Sequence, residues 1–423
     1  MGPRYRLDHA HTGPRHVWLG LAVSSQCREV GGVLIELGDT PGGLRPAILA
    51  SAQVKIAEET AGLFAHVGNN PHCPLVSITT LREQLTVAEA DLATRLLQMA
   101  QIEASRVTAL GVQDPGLWLS GQQPGASSGY LGLCDPARLA ELCQIDVIDA
   151  FPARDLAQNG QGGPLSALPQ WMLLHDSRTS RALLDLGQTV RISYLPAASV
   201  SNAIGRILAF DAGPGMRILD LLAQRLTSGQ SRFDPGGRLA VQGRRVPELL
   251  RHWLSDPYFE RPLPRWHPRG VRPERFLGEA MPKAVEAGWS VRDLLCTATH
   301  FLAEVVSQSL HRRLPDEPPV EQIVVTGGGQ HNGMLLREIQ TRVPDLPILR
   351  IDDVLGSGEL LEPACAAVLA WMYLHRMPAN GSAITGASVC GVLGRLTPGR
   401  GGSSPLPVQL GTHLLGRDVR AAG

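Results

Sequence analysis

The chain has 423 residues, long for one hydrophobic core and comfortable for two. Hydrophobic residues make up 43% and charged residues 18%, which excludes a wholly disordered chain, and Lys plus Arg balance Asp plus Glu at 39 each, which excludes a net field drawing it to nucleic acid or an acidic membrane. The seven cysteines are odd in number and never spaced CxxC, no apolar run reaches membrane-spanning length, and the first residues lack a secretion signal's apolar core, so a reducing cytoplasm is inferred, without a disulfide framework, a structural zinc site or a membrane partner.

Residues 1–16, with His9, His11 and His16, read as a loose leader. VWLGLAV (17–23) and GGVLIEL (31–37) read as two strands of a hairpin. Thr86 is expected to cap a helix running through Gln101, and 107–112 and 145–151 read as strands. A second hairpin follows, ALLDLG and VRISYL (182–195), turning at Gly187. RILAFDAGPG (206–215) is a strand entering a tight turn, and MRILDLLAQRL carries a helical stripe. The locally basic WHPRGVRPERF (266–276) reads as an exposed, proline-bearing loop and not as a nucleic-acid patch.

EQIVVTGGGQHNGMLLREIQ (321–340) is a β-branched strand running into Gly327, Gly328 and Gly329, with a helix starting near Asn332. Adjacent glycines let the chain turn tightly and let a flat or charged ligand approach the main chain, and a ligand-facing turn is the expectation. The spacing is neither a dinucleotide GxGxxG nor a P-loop. ELLEPACAAVLAWMYLH (359–375) is a helix whose Ala364, Ala366, Ala367 and Ala370 permit close packing, with Glu359 and Glu362 in its first turns, where acids are favourable without any catalytic purpose. The chain after Leu396 reads as an extended tail. Two α/β domains around a cleft explain this order, as would any two-domain α/β enzyme or two packed domains with no active site.

NGQGGPL (159–165), FDAGPG (210–215), LSDPYFERPLP (254–264), VVTGGGQHNGMLL (324–336), the helix with Glu362 and AAVLAW, and TGAS (385–388) together resemble the anhydro-N-acetylmuramic acid kinases. The resemblance covers about residues 17–396. It implies an actin/sugar-kinase/Hsp70-like fold with two ribonuclease-H-like domains around a central cleft, ATP and Mg2+ as cofactors, a cell-wall-derived anhydrosugar as ligand, and a homodimer. The expected boundaries are 17–178 completed by about 366–395, then 179–365, with 396–423 as tail.

The family's general base in its FRRRD segment falls on Asp155 of FPARD, beside Arg154. Its phosphate hairpin GxMSGTSxDGxD falls on GLAVSSQCREVG (20–31), where Ser24 and Ser25 keep hydroxyls, but Arg28, Glu29 and Gly31 stand for Asp, Gly and Asp. An arginine offers magnesium no oxygen, and a side chain at Glu29 crowds a triphosphate. The family's NIGGxxN becomes DLGQTVR, with an acid at Asp185, the turn at Gly187, and Gln188 and Arg191 in place of glycine and asparagine. HGQT becomes Pro115, Gly116, Leu117 and Trp118, and an STGRE-like segment becomes WHPRG, keeping Arg269. Trp118 is available either to stack on a sugar face or to pack in the core. Asp211, Gly213, Gly215, Gly327, Gly328, Gly329 and Glu362 carry the nucleotide-facing half, with Met216 where the family has asparagine. These departures favour a noncatalytic or strongly impaired relative that binds nucleotide or another small ligand. The alternative is an active ATP-dependent kinase that opens the 1,6-anhydro ring with water. A third reading is an altered enzyme using the acids Asp155, Asp185, Asp211 and Glu362 on a different small molecule.

Overall fold

The computed structural model describes residues 16–40, 43–70, 72–119, 129–356 and 358–399. The first sheet takes β1 (His16–Val23), β2 (Glu29–Thr40), β3 (Gly43–Lys55) and β4 (Val107–Gln113). A short ribbon of β5 (Leu117–Leu119) and β6 (Gly129–Leu131) precedes β7 (Val147–Asp149). The second sheet takes β8 (Arg181–Leu186), β9 (Thr189–Leu195), β10 (Leu208–Pro214), β11 (Gln322–Thr326) and β12 (Ile348–Arg350), and β13 (Arg395–Thr397) returns to the edge of the first.

The two sheets repeat one topology. The order β3-β2-β1-β4-β7 in the first is matched by β10-β9-β8-β11-β12 in the second, each with two antiparallel pairs followed by two parallel ones. This duplicated ribonuclease-H-like arrangement is the actin/sugar-kinase-like fold.

The expected hairpins form β1–β2 and β8–β9, and MRILDLLAQRL is helical over its whole length, Met216–Leu226. Four expectations are corrected. The helix expected to begin at Thr86 spans Leu75–Ala100, and Thr86 lies inside it, buried, its hydroxyl accepting from the Asp135 amide at 2.9 Å. The β-branched Val76, Ile78, Thr79 and Thr80 disguise the first turns, whereas packing of Leu81, Leu85, Leu92 and Leu96 carries the helix. The strand expected over 145–151 is only Val147–Asp149, because Phe151 already begins a helix, Phe151–Ala157. The tail expected from residue 396 begins inside β13, whose Leu396 pairs with Ile148. His16, the last residue of the expected leader, already belongs to β1, where it pairs with Leu37; the leader's first fifteen residues and the tail beyond 399 lie outside the described residues.

Gly20 on β1 and Gly111 on β4 are directly paired, which leaves a flat groove on the first sheet. The helix Leu361–Leu374 lies in it with Ala366, Ala367 and Ala370 downward, so closely that a Cβ on Gly20 would collide with the Pro363 carbonyl and one on Gly111 with the Ala366 carbonyl. Leu361 and Cys365 of the same helix pack against Leu183 and Val324 of the second sheet. The expected boundary between 365 and 366 therefore falls inside one continuous helix that serves both sheets. No described helix is long and apolar enough to cross a membrane.

Gly111→Val is expected to lower stability by about 3 kcal/mol, because a backbone carbonyl cannot rotate out of the way as a side chain can. Gly278→Ala, on the exposed face of the helix Glu274–Ala287 with open space where its Cβ would go, should instead raise it by about 0.5–1 kcal/mol. Denaturant unfolding of the two variants checks both signs.

Candidate functional site

Three neighbouring strands build the charged end of the cleft. Arg191 on β9 is paired directly with Asp185 on β8 and with Asp211 on β10. Directly opposed residues share a face, so Arg191 shares one face of the sheet with both carboxylates and forms its ion pair with Asp211. Its Nε donates to Asp211 Oδ1 at 3.1 Å, and the other oxygen, Oδ2, accepts from the His267 amide at 3.0 Å. Glu362 faces the same cluster from the Leu361–Leu374 helix, its Oε2 accepting from Ser166 Oγ at 2.8 Å.

The LSDPYF segment fixes Asp211 through its backbone. The Asp211 carbonyl accepts from Tyr258 Oη and Arg265 Nε, both at 2.9 Å, and its amide donates to the Arg265 carbonyl at 2.7 Å. Arg265 is buried, stacked over the Tyr258 ring at 4.5 Å and bonded to three main-chain carbonyls. Burial, outweighing Arg191, raises the Asp211 carboxyl above the ordinary carboxylate range. The Asp185 carboxyl is pushed up to about 6, first by burial and then by Glu362 and Asp211, with Arg191 opposing. Burial pulls the Arg191 guanidinium down, but Asp211, Asp185 and Glu362 outweigh it and hold it above its ordinary value.

Asp155 is fully buried. Oδ1 accepts from Thr385 Oγ1 at 2.6 Å and Asn380 Nδ2 at 2.7 Å, and Oδ2 accepts from the Gly162 amide at 2.7 Å. It thereby joins the NGQGG loop to the TGAS segment, while Arg154 beside it is exposed. The same loop reaches the second sheet's side through Gln161, whose side chain donates to the Pro264 carbonyl and accepts from the Trp266 amide, each at 2.8 Å.

The turn of the β1–β2 hairpin is organised by Ser24, whose Oγ accepts from the amides of Arg28 at 3.0 Å and Glu29 at 3.1 Å. Ser25 and Arg28 are exposed. Gln26 Nε2 donates to Gln188 Oε1 at 2.9 Å, joining the tips of the β1–β2 and β8–β9 hairpins. Gly187 and Gly215 serve the close approach of the second hairpin to the helix Met216–Leu226: the Met216 amide donates to the Gly187 carbonyl, and a Cβ on Gly215 would collide with that carbonyl. A Cβ on Gly213 would instead press on Val305 at 2.8 Å.

Gly327 has a φ of 76°, and a Cβ there would lie 2.6 Å from Asp185 Oδ1; one on Gly329 would meet Leu186 Cβ at 2.5 Å. These two glycines are required by packing on β8. Gly328 alone faces open space. Trp118 lies between Tyr130 and Trp266, with ring centroids 4.9 and 5.3 Å away, and its indole N–H is used by the Pro115 carbonyl. Sequence reasoning missed Asn380, Thr385 as a partner of Asp155, and the Gln26–Gln188 contact. None has a local signal, since each partner lies more than 150 residues away.

The residues fit the two implied cofactors unequally. At the glycine turn, open space at Gly328 leaves the main chain accessible to a flat ligand, while the neighbouring Gln330 Oε1 and Asn332 Nδ2 are buried without hydrogen-bond partners. Magnesium does not fit. Both Asp211 oxygens are engaged by Arg191 and His267, the first hairpin carries Arg28 at the position where the resemblance puts an acid, and no three of His, Cys, Asp or Glu converge as a metal set among the described residues.

The family described as anhydro-N-acetylmuramic acid kinase matches residues 19–399. A protein of that name from Synechococcus sp. (strain CC9311) is 31% identical over 385 residues, 90% of this chain and 99% of the relative. One from Gloeobacter violaceus (strain ATCC 29082 / PCC 7421) is 27% identical over 90% of this chain and 98% of its own length. Among solved structures, the activator of the 2-hydroxyisocaproyl-CoA dehydratase from Clostridium difficile with bound ADPNP aligns with 84% of this chain and 94% of its own at 12% identity and a TM-score of 0.41, which adds nothing to what the strand orders give.

The raised Asp185 carboxyl has a consequence for stability. An acid whose folded value lies above its ordinary 3.8 contributes stability that is complete below about pH 4 and is lost as pH rises through about 6. Asp185→Asn should remove this dependence, flattening the pH–stability curve by up to about 1.4 kcal/mol per pH unit across that window and leaving the variant more stable than the wild type at pH 7.5. Urea unfolding from pH 4.5 to 7.5 measures it; parallel curves would contradict the assignment.

Proposed function

The chain belongs to the anhydro-N-acetylmuramic acid kinase family, and from that premise we propose that it is a noncatalytic or strongly impaired member that still takes a nucleotide or another small ligand in its cleft. The observation that carries this reading is the 2.9 Å hydrogen bond from Gln26 to Gln188. It ties together the two hairpin tips between which the resemblance puts the triphosphate, while Arg28 stands exposed at the position of the family's acid. Phosphoryl transfer rests on positioning and electrostatic stabilisation, so a hairpin that holds neither phosphate nor metal removes most of the rate enhancement.

The lobes in this reading are residues 17–178 with about 366–395, and 179–365, and the assembly is a homodimer. Adenine-nucleotide binding is assigned to the open turn at Gly328, beside the glycines Gly327 and Gly329. Asp155 is assigned a positioning role, because both of its oxygens accept hydrogen bonds from neighbouring protein groups.

A second reading, the active ATP-dependent anhydrosugar kinase, is favoured by the comparisons: the family match spans residues 19–399 and the relatives carry that activity in their name. On that reading Asp155 would have to exchange a present partner for a water molecule attacking the anomeric carbon.

Incubation with ATP, Mg2+ and 1,6-anhydro-N-acetylmuramic acid, with mass spectrometry of the phosphorylated sugar, separates the two. The expected turnover is at least a thousandfold below the roughly 10 s−1 typical of enzymes. Turnover near the typical value that disappears in Asp155→Asn would establish the active kinase instead.

A further inference from the structure

The family's NIGGxxN hairpin has asparagine at both ends, and in this chain the two positions are Asp185 and Arg191. The structure pairs them directly across β8 and β9, so two neutral residues have become an opposite-charge pair on adjacent strands. Arg191 is also the cross-strand neighbour of Asp211 and forms the 3.1 Å ion pair with it. Glu362 completes the acidic surroundings from the helix that serves both sheets.

We infer that Arg191 is a resident cation: its guanidinium, ion-paired with Asp211 and in the field of Asp185 and Glu362, supplies the positive charge that a divalent metal would otherwise bring, and the cleft takes its ligand without metal. The physical reasons are independent of one another. The guanidinium supplies positive charge at Asp211 and next to its other cross-strand neighbour Asp185, so a further divalent ion meets repulsion and not an uncompensated acid. It occupies a carboxylate oxygen that a hard cation would require as a ligand, and it cannot lose its proton to make way. The second Asp211 oxygen is held by a main-chain amide, which a ligand cannot displace by a side-chain rotation.

This deepens the reading given above and rests on it for the cleft as the ligand site, but it is tested without nucleotide or sugar. Manganese is the probe, since the free hydrated ion has a resolved electron paramagnetic resonance signal that bound ion loses. Wild-type protein should leave the signal of Mn2+ at about 1 mM unchanged, the range of weak oxygen-ligand sites. Arg191→Asn, which restores the family residue, should take up Mn2+ at least tenfold more tightly, in competition with Mg2+. Arg191→Lys, which keeps the charge, should not.

Submillimolar Mn2+ binding by the wild type, abolished in Asp211→Asn, would overturn the inference, as would Arg191→Asn binding no better than Arg191→Lys. If Arg191→Asn does not fold, Arg191→Gln provides the neutral side chain for the same comparison. Failure of this inference appears as metal binding in the nucleotide-free protein, whereas failure of the proposed function appears as sugar turnover.

Discussion

The contact on which the rest of the structure depends is between a helix and two glycines. Leu361–Leu374 can lie on the backbone of Gly20 and Gly111 only because neither has a side chain, and its own alanines fill the groove. The same helix buries Leu361 and Cys365 against the second sheet and directs Glu362 toward Asp185 and Arg191. One close packing interaction therefore sets how the two repeated sheets face each other. It also brings the β1–β2 and β8–β9 turns close enough for Gln26 to reach Gln188.

Within that frame the polar groups satisfy one another. Asp211 is occupied by Arg191 and a main-chain amide, Asp155 by Thr385, Asn380 and Gly162, and Ser24 by the turn that it closes. A phosphate-handling site needs the opposite, donors and acceptors left for metal and ligand and stabilised for that purpose. Unpaired groups remain beside the Gly327–Gly329 turn, at Gln330 and Asn332. In the proposed reading, the half of the cleft assigned to the nucleotide thus differs in character from the half assigned to the phosphates, in line with the uneven resemblance of the two halves to the family.

Much of this was legible in the sequence because it is local. Strand-like runs joined by a polar segment in one case and by a turn at Gly187 in the other predict both hairpins, and the stripe in MRILDLLAQRL predicts a helix where Met216–Leu226 forms one. The alanines of residues 364–370 predict a close helix contact, although not with which glycines. The Leu75–Ala100 helix was obscured because its first turns are β-branched and its stability comes from the sheet beneath it. Asp155 was found only through the FPARD resemblance, and its partners Asn380 and Thr385 lie 225 and 230 residues further on, beyond any periodic signal. The Asp185–Arg191 pair had a signal: opposite charges at equal distances from a hairpin's turn oppose each other in register. Its second partner, Asp211, depends on how β10 is aligned with β9, and that alignment is broken by an irregularity between Asp211 and Gly213.

The central claim, that the phosphate-facing half of this cleft is closed on itself and excludes metal, is tested most directly by calorimetric titration of the wild-type protein with ATP in the presence and absence of Mg2+. Weak binding is expected, with a dissociation constant that differs between the two conditions by less than about threefold, since both Asp211 oxygens are engaged by Arg191 and the His267 amide and Arg28 offers the metal no oxygen. Tightening by tenfold or more on adding Mg2+ would contradict it.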